Sequence, residues 1–151
     1  MKRRRVDEAA TSLLLDADTS ARLGRIRQHG TAAELIVRRL VTRLGIRYRT
    51  KNRDLPGSPD LANRRKGWAV FVHGCFWHAH AKCSRATIPK RNKPFWRAKF
   101  AANIARDARA MAGLKQLGFR TLVIWECELR DEEKVRQRLH NKLLQVRRGL
   151  K

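Results

Sequence analysis

The run Phe71-Val72-His73-Gly74-Cys75-Phe76-Trp77-His78 joins two kinds of sequence. Its first residues close a short apolar stretch, Trp68 to His73, which has the length and composition of a strand. Gly74 then breaks the pattern, and from Gly74 to Pro94 His, Cys, Trp and basic residues follow with no sustained periodicity. A segment of that composition is expected to be a loop ordered by something other than packing, and a bound metal would supply the order.

Upstream, the basic turn Arg64-Arg65-Lys66-Gly67 separates Trp68–His73 from a second strand candidate, Asp60 to Asn63. Leu55-Pro56-Gly57 predicts a turn, and residues 47–50 a further strand, so this region reads as a meander. Before it, Thr31 and Glu34 form a capping-box pattern. Ala33, Ile36, Val37, Leu40, Val41 and Leu44 then recur at helical spacing until Gly45. Downstream, residues 95–117 predict a long amphipathic helix closed by Gly118, residues 119–125 a strand, and residues 131–144 a second amphipathic helix. Strands enclosed between helices imply an α/β fold with a mixed central sheet flanked by helices. Residues 1–30 are polar and rich in Arg, an expected basic arm with a short helix near Ser20 to Arg27. Residues 31–151 form the expected single domain.

The 151 residues carry 36 Lys and Arg against 13 Asp and Glu, a formal charge of +23. That excess points to a polyanionic partner. With 42% apolar residues the chain is expected to fold before it binds, unlike a disordered basic tail. Trp68–Val72 and Leu122–Trp125 are too short to span a bilayer. Leu13 to Leu15, ending at Asp16, is no signal-peptide apolar region, so a cytoplasmic location is expected.

Three cysteines, an odd number, favour metal or free thiols over a disulfide framework. Cys75, His78, His80 and Cys83 fall within nine positions, and Cys127 follows the last strand. Structural zinc takes four tetrahedral nitrogen or sulfur ligands. Cys75, His80, Cys83 and Cys127 satisfy that requirement and leave His73 and His78 for other work; His78 in place of His80 is the alternative, and three buried thiols the metal-free one. Asp60, placed by a Pro-rich turn at the start of a strand, is a candidate Mg²⁺ carboxylate for phosphodiester hydrolysis. An Asp after Pro is also an ordinary turn residue.

His-Gly-Cys-Phe-Trp-His (73–78), with Leu-Pro-Gly-Ser-Pro-Asp upstream (55–60) and Val-Ile-Trp-Glu-Cys downstream (123–127), resembles the very-short-patch repair (Vsr) mismatch endonucleases. The resemblance covers about residues 20 to 130, with the motifs in the family's order. It implies a restriction-endonuclease-like core and hydrolytic nicking of one DNA strand beside a T:G mismatch, such as deamination of 5-methylcytosine leaves. By the same resemblance Asp60 binds Mg²⁺ together with the backbone carbonyl of Val72, where the family commonly has Thr. His78 activates the attacking water, His73 supports it, and Glu34 reaches the site from the first helix, although capping explains Glu34 equally well. The zinc ligands match the family's, with one extra residue between His80 and Cys83.

Double-stranded, mismatched DNA is the implied partner of a monomer, with mismatch-repair proteins as candidate associates. Phe76, Trp77 and Trp96 match residues that wedge into DNA from the major-groove side, and Leu23 matches the wedge of the arm. Opening a mismatched step costs less than opening a paired one, which gives such wedges a route to selectivity. Trp96 reads equally well as a core residue of its helix. Arg22, Arg25, Arg27, Arg85 and Arg91 are candidate phosphate contacts, with affinity expected to fall steeply with salt. Two other readings fit the same residues: a Vsr-like nuclease acting on other DNA, such as foreign DNA, and a zinc-stabilised DNA-binding module without cleavage. The second has no use for Asp60, His73 and His78 together.

Overall fold

The computed structural model describes residues 30–145. Arg22, Leu23, Arg25 and Arg27, and the helix expected around them, lie outside the described residues.

Helix α1 (Ala32–Arg43) starts where the sequence places it. The Thr31 hydroxyl accepts the Glu34 amide at 3.2 Å. The reciprocal bond runs one residue further out than in a standard capping box: the Glu34 carboxylate accepts from Gly30 N–H at 2.9 Å and from Arg38 at 3.4 Å. Gly45, at φ +70°, ends the helix in the left-handed region, and Ile46 N–H reaches back to the Val41 carbonyl. Val37, Leu40 and Val41 form its buried stripe.

The sheet has three strands in the order β1 (Leu61–Asn63), β2 (Trp68–His73), β3 (Arg120–Trp125). β1 runs antiparallel to β2, and β3 runs parallel to it in a register from Trp68↔Arg120 to His73↔Trp125. The mixed sheet is the one expected. Being central, β2 is covered on both faces, which explains a nearly continuous apolar run in place of alternation. Trp68 and Val70, with Leu61 and Ile124, pack on the stripe of α1 and on Val135, Leu139 and Leu143 of α3 (Glu132–Leu143). Ala69 and Phe71, with Ala62, pack on Ala110 and Leu114 of α2 (Lys93–Gln116). A turn of 3-10 helix, Glu126–Arg130, joins β3 to α3 and was not foreseen.

Residues 47–50 do not form the expected strand; among the described residues only the isolated bridge Arg49↔Ala62 pairs there. The buried Asn52 side chain takes over, donating to the carbonyls of Arg49 and Pro59 and drawing the chain into a turn. The turn continues to Gly57, whose φ of +72° and contact with α2 both need glycine. A Cβ there would lie 2.4 Å from the Ala110 Cβ. This compact path delivers Asp60 to the edge of β2.

Candidate active site and metal cluster

The parallel strands β2 and β3 end side by side at His73 and Trp125. Open α/β sheets commonly place their chemistry at these carboxyl ends. Asp60 is fixed against β2 because one carboxylate oxygen accepts the Val72 N–H at 2.6 Å. The carbonyl of Val72 belongs to the next peptide along, and His73 follows it directly.

Strand alternation turns His73 toward α2, where Phe71 also points. His73 is 5% exposed and its ring stacks on that of His78, with centroids 3.8 Å apart and planes 2° from parallel. Asp107 of α2 faces both rings: its carboxylate lies 2.6 Å from His78 Nδ1 and 3.9 Å from His73 Nε2. Burial pushes His73 down to about 4, with neighbouring His78 adding to the fall and Asp107 opposing it, so His73 is neutral at pH 7.

Asp107 was missed in the sequence, although a signal exists. Phe100, Asn103, Asp107, Ala110 and Leu114 lie along one helical face, so two polar residues interrupt an apolar stripe. Both have work to do there. Asn103 donates to the Trp77 carbonyl at 2.7 Å and pins the loop that follows β2.

Cys75, His80, Cys83 and Cys127 converge, with their ligand atoms all within 4.8 Å of one another. His80 Nδ1 and Cys127 Sγ are 3.5 Å apart. Tetrahedral zinc with its usual bond lengths would separate such ligands by about 3.5 to 3.8 Å, so the donor set fits that metal. Of the two histidines considered, His80 joins the thiols and His78 faces Asp107. Cys75 is fully buried, and burial pushes its thiol up to about 12; a thiolate there requires a cation beside it. The Arg85 backbone N–H lowers Cys83. Ala79 at φ +45° and Lys82 at φ +57° flank His80, and residues bearing a Cβ hold such backbone only when something fixes the loop. Lys82 is also one of the two residues spaced between His80 and Cys83.

Trp96 is 6% exposed and packs with Phe95 and Phe100 in a satellite cluster, on which Phe76 and Trp77 lie half-buried. Phe76 meets Trp77, Trp96 and Phe100 edge to face at 5.1 to 5.3 Å. Arg85 is exposed and pairs with Glu126 at 3.2 Å, and Arg91 is exposed at the foot of α2. Glu34 is 4% exposed and bonded at the start of its own helix. No described helix is long and apolar enough to cross a membrane.

A sheet-end carboxylate beside a histidine–carboxylate pair, on a strongly basic α/β domain, is the equipment of an enzyme that cuts DNA. Comparison with known proteins agrees. The family described as DNA mismatch endonuclease Vsr matches residues 13–85. The type II nicking enzyme V.XorIIP of Xanthomonas oryzae is 41% identical over 116 residues, covering 77% of this chain and 85% of that protein. V.NmeAIP of Neisseria meningitidis serogroup A is 35% identical over 123 residues, covering 82% and 87%. The DNA mismatch endonuclease Vsr of Escherichia coli is 37% identical over 119 residues, covering 79% and 76%. The chain belongs to the Vsr family of DNA endonucleases.

Proposed function

We propose that this endonuclease nicks one strand of duplex DNA beside a T:G mismatch, using His78 as general base and Mg²⁺ held by Asp60 and the Val72 carbonyl. The observation that carries the proposal is the 2.6 Å contact between His78 Nδ1 and Asp107. With Nδ1–H donated to the carboxylate, Nε2 carries the lone pair, as a base orienting on substrate requires. His73, neutral and stacked on His78, holds the ring plane without adding a competing charge. Asp60 offers the oxygen donor that Mg²⁺ prefers, on a carboxylate steadied by the strand. When bound, the metal polarises the phosphoryl oxygen and makes the attacking water more acidic. Cys75, His80, Cys83 and Cys127 would hold Zn²⁺, and the bound ion would fix the loop that carries His78. Glu34, bonded to Gly30 and Arg38, supports the first helix.

Phe76 and Trp77 are the proposed wedges, already braced by Trp96 and Phe100 from behind. Arg85 and Arg91, with Arg22, Arg25 and Leu23 of the arm, complete the proposed DNA-binding set. The family match and the mismatch endonuclease among the relatives favour a mismatched duplex as substrate.

The test is single-turnover cleavage of end-labelled duplexes with T:G or matched pairs in several methylated contexts. Mg²⁺-dependent nicking confined to T:G duplexes is expected. Equal nicking of matched duplexes would move the reading to a Vsr-like nuclease for other DNA, and tight binding without nicking to a non-cleaving module.

Asp107→Asn should lower the nicking rate by about 10²-fold or more, within the range of general-base contributions. DNA affinity should change less than about threefold, because Asp107 meets the imidazoles rather than phosphate. A wild-type rate in this variant would remove His78 from the base role.

A further inference from the structure

Trp125 ends β3 between the cysteine cluster and the histidine pair, touching a member of each. On one side its ring lies flat against His80, with centroids 4.0 Å apart and planes 7° from parallel. On the other side it meets His73 edge to face at 5.2 Å and 77°, and His78 at 6.4 Å and 76°. His73 is also its register partner on β2.

The backbone that carries the indole is itself fixed. The Trp125 backbone N–H donates to the Glu128 carboxylate at 2.8 Å. Glu128 is paired in turn with Arg138 of α3, which also donates to the Val123 carbonyl. Two residues further along the chain stands Cys127, a member of the cluster. In the run Val-Ile-Trp-Glu-Cys (123–127) the sequence gives Cys127 a ligand role and Trp125 none.

We propose that Trp125 is a positioning residue that transmits the geometry of the Cys75–His80–Cys83–Cys127 cluster to His73 and, through the His73–His78 stack, to His78. This rests on the reading of His78 as the base. The physical case has two parts. An imidazole bound to a metal is electron-poor, and indole offers the best aromatic face for such a ring. An edge-to-face contact then fixes the tilt of His73, and the parallel stack passes that tilt to His78, whose Nδ1 is already held by Asp107. A ring displaced by about 1 Å can cost on the order of 10²-fold in rate, so wall residues of this kind matter to catalysis without joining it.

The experiment compares zinc-loaded full-length wild type with Trp125→Phe, which keeps a ring, and Trp125→Leu, which does not. Trp125→Met serves if the Leu variant fails to fold. Three readouts are taken: single-turnover nicking, DNA affinity, and histidine ring resonances from ¹H–¹⁵N NMR, with zinc content as a control. The expected result is a nicking rate down about 10-fold or more in Leu or Met, with one zinc per chain and DNA affinity within about threefold of wild type. Phe should recover most of the rate, and the His73 and His78 ring resonances should shift in Leu or Met.

Unshifted His73 and His78 resonances would overturn the proposal, as would a wild-type rate in both ring-less variants. So would a rate that falls only in proportion to zinc lost, with Phe no better than Leu. His78→Gln, measured alongside, isolates the parent reading: a wild-type rate there refutes the base assignment, while the ring resonances still decide whether Trp125 positions the pair.

Discussion

Asp60→Asn is expected to lower the nicking rate by about 10³-fold or more while leaving DNA affinity within about threefold of wild type. A metal-held carboxylate contributes several kcal/mol of transition-state charge stabilisation, and each 1.36 kcal/mol is about tenfold in rate. Binding should survive because the affinity of a chain with a formal charge of +23 comes from its many Lys and Arg, and one carboxylate opposes that attraction. Asn is the sharper substitution for a structural reason. Asp60 accepts the Val72 N–H at 2.6 Å, and an Asn carbonyl can still accept it. Asp60→Ala leaves that amide without its acceptor, at about 1–3 kcal/mol if the amide stays buried. The Ala variant should therefore lose nicking together with some stability, and the Asn variant nicking alone. Single-turnover cleavage of an end-labelled T:G duplex, paired with thermal unfolding, separates the two. An Asn variant that nicks within about threefold of wild type would remove Asp60 from the active site.

What could be read in the sequence follows from whether a feature is local. The α1 cap, the Gly45 stop and β2 are set by neighbours within a few residues, and each stands where the pattern placed it. The cysteine cluster was legible because residue type and spacing together restrict what can bind there. Two features depended on distant partners and were not. Residues 47–50 have strand composition, but the Asn52 side chain captures the carbonyls of Arg49 and Pro59 and bends the chain away. Asp107 lies 29 residues from His78, and only the packing of α2 against the carboxyl end of β2 brings them together. Its trace in the sequence, a carboxylate on the apolar face of a helix, becomes meaningful once that face is known. Trp125 is a third case, since its contacts with His73, His78 and His80 come from a strand and a loop that the sequence cannot align.

Replacing Cys75 tests the second metal in a way that also excludes the metal-free alternative. Cys75→Ser should bring bound zinc below about half an equivalent per chain, lower the thermal midpoint by more than about 10 °C, and make chelator effects on stability small. The size follows from linkage. Structural zinc sites in small domains bind with apparent free energies of about 10–16 kcal/mol, and domains of this size are stable by only about 5–15 kcal/mol. Losing a large share of that binding removes much of what holds the loop. Cys75 is the best of the four positions to change because it is fully buried at the end of β2, where water cannot replace the missing ligand cheaply. Had the cluster been three packed thiols, the result would differ in kind. A buried Cys→Ser change would then cost about 1–3 kcal/mol for the unpaired hydroxyl, and a chelator would leave the wild-type midpoint where it was. Metal analysis and paired melts with and without EDTA read both arms. The nicking assay ties the outcome back to the active site: His78 stands three residues from Cys75 on the same loop, so wild type stripped of zinc should lose activity as the loop loses its fixed turns at Ala79 and Lys82. Full activity and an unchanged midpoint after stripping would show that packing alone orders the loop.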